Sequence, residues 1–347
     1  MKHNQLSLIG GDLSGLLLPQ KDLVTPQKGS LVMVEQALQV RGADDWITVV
    51  DLAPSLYRFT EFTFTSAGRT GRVGPTLAQC QAAYAGQAFL SQAQFFNCVT
   101  GKQFWTAPAD GTYHFAITGP TTASASRNGV TSVMEFDLDL EMGEVVELLV
   151  GQRGTQVLQG MGGSGACMVR TDKKGLVVIL GGVGANQSGI ITATVVSNTS
   201  PMGPNGQTVT NAPNGGIGYT NRGTMAACGG SGYTGDGGSV NLTGIFNNTF
   251  FTSAANLSSA NPTGGTATGN SSANCAQGGF GGGGAVIGSG QSAAGGGGGY
   301  AGGNGGFNYG NSGSSFWDTA LIRNNTLVSK SVLAADRADG SIKITKL

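Results

Sequence analysis

Charge is the scarcest commodity in this chain. Only 11% of the 347 residues are charged, and the formal net charge is zero. Ordinary domains carry roughly 25% charged residues, so no electrostatic footprint for nucleic acid or an anionic membrane surface is present. Long apolar runs are missing too. No stretch of about 18 apolar residues occurs, which excludes a membrane-spanning helix and makes membrane insertion unexpected. The first residues, MKHNQLSLIGGDLSGLLLPQ, lack the continuous apolar core of a secretory leader. Histidine is limited to His3 and His114, so hydrolysis through a histidine base has almost nothing to draw on. The five cysteines (Cys80, Cys98, Cys167, Cys228 and Cys275) form no C-x-x-C pair, which excludes a zinc site of the usual spacing and a regular disulfide framework. They read as small buried residues of a protein made in a reducing cytosol. Cys80 and Cys98 can pair only if their segments are adjacent.

What the chain has instead is glycine, 61 residues in all. Between Gly278 and Gly306, 17 of 29 residues are glycine, and the only large side chains are Phe280, Val286, Ile287 and Tyr300. A flexible linker gains nothing from aromatic rings. Glycine can instead adopt the left-handed, three-residue extended helix of polyproline II while keeping its N–H. The frame fits: 296, 299, 302 and 305 are all Gly, and so are 303 and 306, while 301, 304 and 307 carry Ala, Asn and Phe. Laterally hydrogen-bonded helices of the polyglycine-II kind are therefore expected. The absence of a strict G-X-Y repeat with proline excludes collagen. Between Lys174 and Asp318 lie 143 residues with two charges, Arg222 and Asp236. A structureless insertion of that length is unusual inside a domain.

Around this region the pattern is that of strands. Residues 1–60 are expected to form an N-terminal attachment module with strands at 31–40 and 45–52. Residues 61–104 are a leader with one strand, EFTFTSAG, and one helix, TLAQCQAAYAG, capped by Thr76 and stopped at Gly86. From 105 a β-sandwich is expected, spanning 105–196 and 340–347, with the glycine-rich region at 197–320 between its strands. The strongest alternation is VMEFDLDLEM: Met134, Phe136, Leu138, Leu140 and Met142 share one face, and Glu135, Asp137, Asp139 and Glu141 the other. Gly143 and Glu144 are expected to turn the chain so that Val145–Val150 returns as the hairpin partner. Further strands are expected at 165–171, 175–183, 190–196 and 341–347.

The succession FWTAPADGTYHF, GEVVELLVGQRG, GMGGSGACMV, GLVVILGGVGAN, GGFGGGGA, GGGGGYAGGNGG, GSSF and DGSIKITKL resembles the glycine-rich domain of the anaplastic lymphoma kinase and leukocyte tyrosine kinase family over residues 100–347. The domain type recurs in bacterial and bacteriophage surface proteins. The resemblance implies a tumour-necrosis-factor-like (jelly-roll) β-sandwich joined to a polyglycine-II bundle. The sequence departs from the receptors at LGGVG, where they have a longer glycine run, and it carries no cysteine-rich module or kinase, so receptor function is not carried over. FTFTSAGRTGRVGPTLAQCQAAY is similar to a leader that precedes such domains in phage and environmental bacterial proteins. That implies a phage virion protein made in the host cytoplasm and released by lysis, with homotrimers as the analogy from related sandwiches and fibres.

His114 alternates with Tyr113 and Phe115 and reads as a hydrogen-bonded strand histidine rather than a base. The row of four acids reads as a solvated face that protects an edge, with no second cluster to complete a calcium cage. GMGGSG (160–165) matches G-x-G-x-x-G but leads into a strand instead of a helix, so the phosphate cradle is missing. The N-x-[ST] sequences at Asn186, Asn198, Asn241, Asn247, Asn256, Asn270 and Asn324 carry little weight in so Asn- and Ser-rich a chain. No catalytic, metal or cofactor residue is expected. Aromatic residues in polar surroundings are the candidate surface contacts: Tyr219, Tyr233, Phe250, Phe251, Tyr300, Phe307, Tyr309, Phe316 and Trp317. Each either meets a sugar or protein surface or covers an end of the glycine lattice. The low-complexity loops at 198–275 are expected to form the variable contact surface. The expectation is thus a non-enzymatic virion protein, a tail-fibre or adhesin subunit that meets a host receptor or glycan. The alternatives are an assembly, decoration or adaptor role, and a secreted ligand-binding module.

Overall fold

The computed structural model describes residues 31–34, 37–41, 46–51, 54–121, 129–157, 160–185, 214–221, 225–240, 250–268, 275–288 and 293–347. The strand expected at 190–196 and much of 198–275 lie outside these residues. The chain divides into two units, Met1–Ser55 and Leu56–Leu347.

In the first unit, Leu31–Val34, Ala37–Arg41 and Trp46–Asp51 pair in sequence as an antiparallel three-stranded sheet. The apolar run at 31–40 is thus two strands and not one.

The second unit is an all-β sandwich of two antiparallel sheets. One runs, from edge to edge, Ile322–Val332, Gly129–Leu140, Gly111–Thr118, Ser341–Lys346 and Glu61–Phe64. The other runs Phe316–Trp317, Gly175–Leu180, Cys167–Thr171, Val145–Leu149, Lys102–Thr106 and Phe96–Val99. The alternating residues of both meet in one core that contains Trp105, Val146, Leu148, Val169, Val178, Tyr113, Phe115, Phe136, Ile342 and Ile344. Phe115 and Phe136 stack across neighbouring strands at 4° and 5.1 Å. The buried Tyr113 hydroxyl donates to the Ala109 carbonyl at 2.8 Å, so its polar tip is satisfied. Each of these side chains contributes roughly 1.5–3 kcal/mol by leaving water.

Residues 61–104 share this core. Their one α-helix, Leu77–Ala83, starts at a Thr76 capping box in which Thr76 and Gln79 satisfy each other's backbone N–H. The helix brings Tyr84 against Phe62, Phe64 and Phe96.

The structure corrects two readings of the strongest alternating stretch. Val145–Leu149 does not fold back on Gly129–Leu140. Gly143, at φ +83°, and Glu144 carry the chain across to the other sheet, where Val145–Leu149 lies between Lys102–Thr106 and Cys167–Thr171. Nor does the acidic row protect an edge, because Gly129–Leu140 is an interior strand. Its outer neighbour, Ile322–Val332, has no apolar alternation and is exposed along most of its length. It is held by pairing with the interior strand, with a register shift between Arg323 and Thr326 where Asn324 takes φ +52°.

Part of the six-stranded sheet is buried on both faces. Val178 and Leu180 point into the sandwich, whereas Leu149, Met168 and Ile179 point outward to a second apolar layer with Ala166, Leu257 and Phe280. The run GLVVIL needs two covers for this reason, and the glycine region is the second.

Its centre is 295–300. Gly295 and Gly298 donate their N–H groups to Met161 and Ser164 (2.9 and 3.0 Å), and Gly296 and Gly299 to Cys228 and Ser231 (both 3.1 Å). Gly297 and Tyr300 donate to Asn311 and Ser314 (both 2.8 Å). Each donor pair and each acceptor pair is three residues apart, so three parallel neighbours are reached in rotation. That is the three-residue turn of the polyproline II family, with lateral hydrogen bonds that proline cannot make. The carbonyls reach three more stretches: Gly298 and Gly295 accept from Gly182 and Ala185, Gly296 from Gly284, and Gly297 from Gly303. Six neighbours surround one segment, as in a polyglycine-II bundle. None of 295–299 has positive φ. Glycine is required there because a Cβ would lie 1.9–2.6 Å from a neighbouring backbone oxygen.

Candidate interaction surface

The nine aromatic candidates separate into groups. Tyr233, Tyr300 and Phe316 form a column, with ring centroids 6.3 and 4.7 Å apart and planes within 20°. The column packs on the apolar layer between the six-stranded sheet and the glycine lattice, so these rings belong to the junction and not to an exposed contact surface. Trp317 is half-buried against the sandwich core, on the strand that pairs with Gly175–Leu180. For Phe250 and Phe251 the structure describes the strand alone, Phe250–Thr252 paired with Thr266–Thr268.

The remaining three are exposed: Tyr219 by 37%, Phe307 by 43% and Tyr309 by 45%. They lie on adjacent segments, since the Tyr219–Asn221 strand runs beside Gly306–Phe307. The lattice holds both. Gly305 donates its N–H to the Ile217 carbonyl at 3.0 Å, and Tyr309 donates to the Phe307 carbonyl at 2.7 Å across Asn308, whose φ is +61°. Asn304 Oδ1 accepts the Ile217 N–H at 2.7 Å. Ile217 itself is 71% exposed, a fourth apolar side chain on this end that the sequence reading did not single out. A search restricted to aromatic residues passes over it; its place two residues before Tyr219 on a period-two stretch was the available signal.

Short strands cap the lattice here. Ala293–Ala294 lies between Gly160–Met161 and Gly306–Phe307, and Met225–Ala227 lies between Tyr219–Asn221 and Val286–Gly288. The exposed side chains therefore stand on backbone fixed by lateral hydrogen bonds. Such a surface loses little conformational entropy when it is covered.

The acidic row is a different kind of site. Asp137 is buried, meets His114 Nδ1 at 2.7 Å and accepts from the Asn324 amide at 2.8 Å. These hydrogen bonds, Asn324 first, hold its carboxyl below the usual range. Asp139 receives the Arg323 guanidinium on both oxygens, at 2.6 and 2.7 Å, and the Thr112 hydroxyl at 2.6 Å. Arg323 is the main cause of its fall from 3.8 to about 2. The partners on Ile322–Val332 convert an apparent solvated face into a fastened one. Among the described residues no group of three or more His, Cys, Asp or Glu is placed to hold a metal ion, and no helix is long and apolar enough to cross a membrane.

A pH dependence follows. Both carboxyls have folded pKa values below their unfolded ones. Their contribution is therefore fully present above the unfolded value of about 3.9 and is lost as pH falls through the folded one. The melting temperature is expected to decline between about pH 4 and pH 2, with Asp139→Asn flattening part of that slope. Asp139 is solvent-facing, so its share is modest. An identical slope in the variant would show that the pair is silent.

No protein-family model matches the chain. Over 103 residues it is 30% identical to the leukocyte tyrosine kinase receptor of Mus musculus, a match that covers 28% of this chain and 12% of that protein. The expectation of a non-enzymatic protein is corrected by this finding, because the relative is by name a tyrosine kinase receptor. The shared stretch spans so little of that receptor that it brings no activity to this chain either. Over a part of its length the chain is thus similar to a leukocyte tyrosine kinase receptor.

Proposed function

We propose that this chain is a bacteriophage virion protein, a tail-fibre or adhesin subunit that holds a rigid glycine-rich end against the host surface. The observation that carries the reading is the group of exposed apolar side chains Ile217, Tyr219, Phe307 and Tyr309 on backbone locked by the lattice. Flat rings flanked by asparagine amides suit a glycan or a protein receptor. In this reading the Met1–Ser55 unit docks on other virion proteins and the chain assembles as a trimer. It is made in the host cytoplasm and reaches the outside on the particle. The finer fold, a tumour-necrosis-factor-like jelly roll of the glycine-rich domain family, belongs to the same proposal. Two sheets around one core, the lattice and the matched stretch support it.

The test is Tyr219→Ala, Phe307→Ala and Tyr309→Ala combined in assembled particles. Adsorption to host cells is expected to slow by about tenfold or more, given the share of binding energy that aromatic anchors carry, with incorporation unchanged. Unchanged adsorption would exclude these rings as the contact.

A second reading, an assembly or decoration subunit, is favoured by the exposure of Ile217, which would suit burial against another subunit. Loss of incorporation in the same variant would select it.

A further inference from the structure

The helix Leu77–Ala83 and the edge strand Phe96–Val99 pack against each other, and each brings a cysteine to the contact. Cys80 is the one buried residue of the helix, and Cys98 is buried in the same core cluster. The packing of the helix on the strand brings the two thiols together in one buried site. Cys98 Sγ also contacts the carbonyl of Pro75, just ahead of the helix, at 3.3 Å. Both are reduced in this structure. Tyr84 and Phe96, one residue beyond the helix and at the start of the strand, meet edge to face at 5.9 Å and hold the two elements in register. Cys167 and Cys228 are buried elsewhere with no thiol neighbour described.

We propose that Cys80 and Cys98 are a covalent modification site, a pair of thiols that a disulfide oxidant of the glutathione class converts into a cross-link between the helix and the sandwich. Cys98 lies on an edge strand, so opening of the helix uncovers it, and its thiolate is the attacking sulfur. It attacks one sulfur of oxidised glutathione and expels the other as a thiolate, leaving a mixed disulfide. Cys80 then gives up its proton and attacks the Cys98 sulfur, closing the protein disulfide and expelling the second glutathione. Two protein thiols are oxidised, one glutathione disulfide is reduced to two thiols, and the protons released by the protein end on glutathione. The oxidant reaches the buried pair when the two-turn helix opens locally. The bond closes a loop in the unfolded chain, and restricting that chain is how a cross-link stabilises. This inference does not depend on the role of the exposed aromatic end.

Both cysteines fall within one tryptic peptide, 73–102, because no Lys or Arg intervenes between Arg72 and Lys102. Folded protein incubated with oxidised glutathione is expected to yield that peptide about 2 Da lighter, two hydrogens being lost. Its melting temperature is expected to rise by about 5 °C. Cys98→Ser is expected to show neither change. The wild-type mass measurement stands even if that variant folds poorly. A sample unfolded in urea serves as the check that the oxidant is active. Reaction in urea without mass loss in the folded protein would overturn the proposal, as would addition of glutathione to both cysteines without a cross-link.

Discussion

Gly302→Val is expected to unfold the glycine region, whereas Asn304→Val, two residues further on, is expected to leave it folded. A Cβ at 302 would lie 2.0 Å from the carbonyl oxygen of Gly230 and 2.6 Å from its carbon. These are backbone atoms of a segment fixed on several sides, so no rotamer change relieves the contact. The Gly302 N–H donates to Asn214 at 2.9 Å, and moving the chain away breaks that bond and its neighbours together. Overpacking a core ordinarily costs about 1–3 kcal/mol. Here the clash falls on hydrogen-bonded backbone, and a loss above about 5 kcal/mol is expected, in the range that single mutations rarely reach. Gly299→Val is expected to behave similarly, its Cβ lying 2.6 Å from the Ser314 oxygen. Asn304 already carries a side chain into half-exposed space. Its replacement removes only the acceptor for the Ile217 N–H, at a cost of about 1 kcal/mol. Chemical denaturation of the three variants checks this, and equal tolerance at all three would refute the lattice.

The second large effect is expected at Lys174→Met. Glu144 is wholly buried in the turn that carries the chain from one sheet to the other. Its carboxylate oxygens accept from Lys174 Nζ at 2.6 and 2.5 Å, and one of them also accepts the Glu141 N–H at 3.1 Å. Removing the lysine leaves a buried carboxylate with one backbone donor, and breaking such a pair costs about 3–5 kcal/mol. Much of that cost is the charge left behind and not the worth of the pair. Adding Glu144→Gln to the same variant is therefore expected to restore a substantial part of the stability. A double-mutant cycle followed by urea unfolding reads the coupling. Additive losses would mean that the two side chains act separately.

Much of the local structure was legible. Met134, Phe136, Leu138 and Leu140 are buried as their alternation requires. Thr76 caps the helix, as its place ahead of the Ala- and Gln-rich run indicates. Ile342 and Ile344 alternate into the core from a strand of the five-stranded sheet, as their spacing requires. These features depend on neighbours within a few residues, which is the range over which sequence periodicity carries information. Strand pairing was not legible, because it joins distant residues. Val145–Leu149 was expected beside the preceding strand, but its partners are Lys102–Thr106 and Cys167–Thr171. Ile322–Val332 was missed because an outer strand held by backbone pairing and by Arg323 and Asn324 leaves no apolar signature. Among the aromatic candidates, exposure was decided by which faces the lattice covers. Tyr300 was half-buried in the junction column and Tyr309 left open, although both sit in similar glycine-rich surroundings.

By itself the sequence determined the two materials of this protein: alternating strands that must bury a face, and a glycine region whose three-residue frame permits backbone-to-backbone packing. Only the tertiary structure decided how they join. Part of the six-stranded sheet is apolar on both faces, and there its outer side chains Leu149, Met168 and Ile179 are covered by the lattice with Phe280. A glycine segment has no side chains with which to select its neighbours. Their identity is set by where the strands on either side deliver the chain, and the close approach then makes each of those glycines irreplaceable.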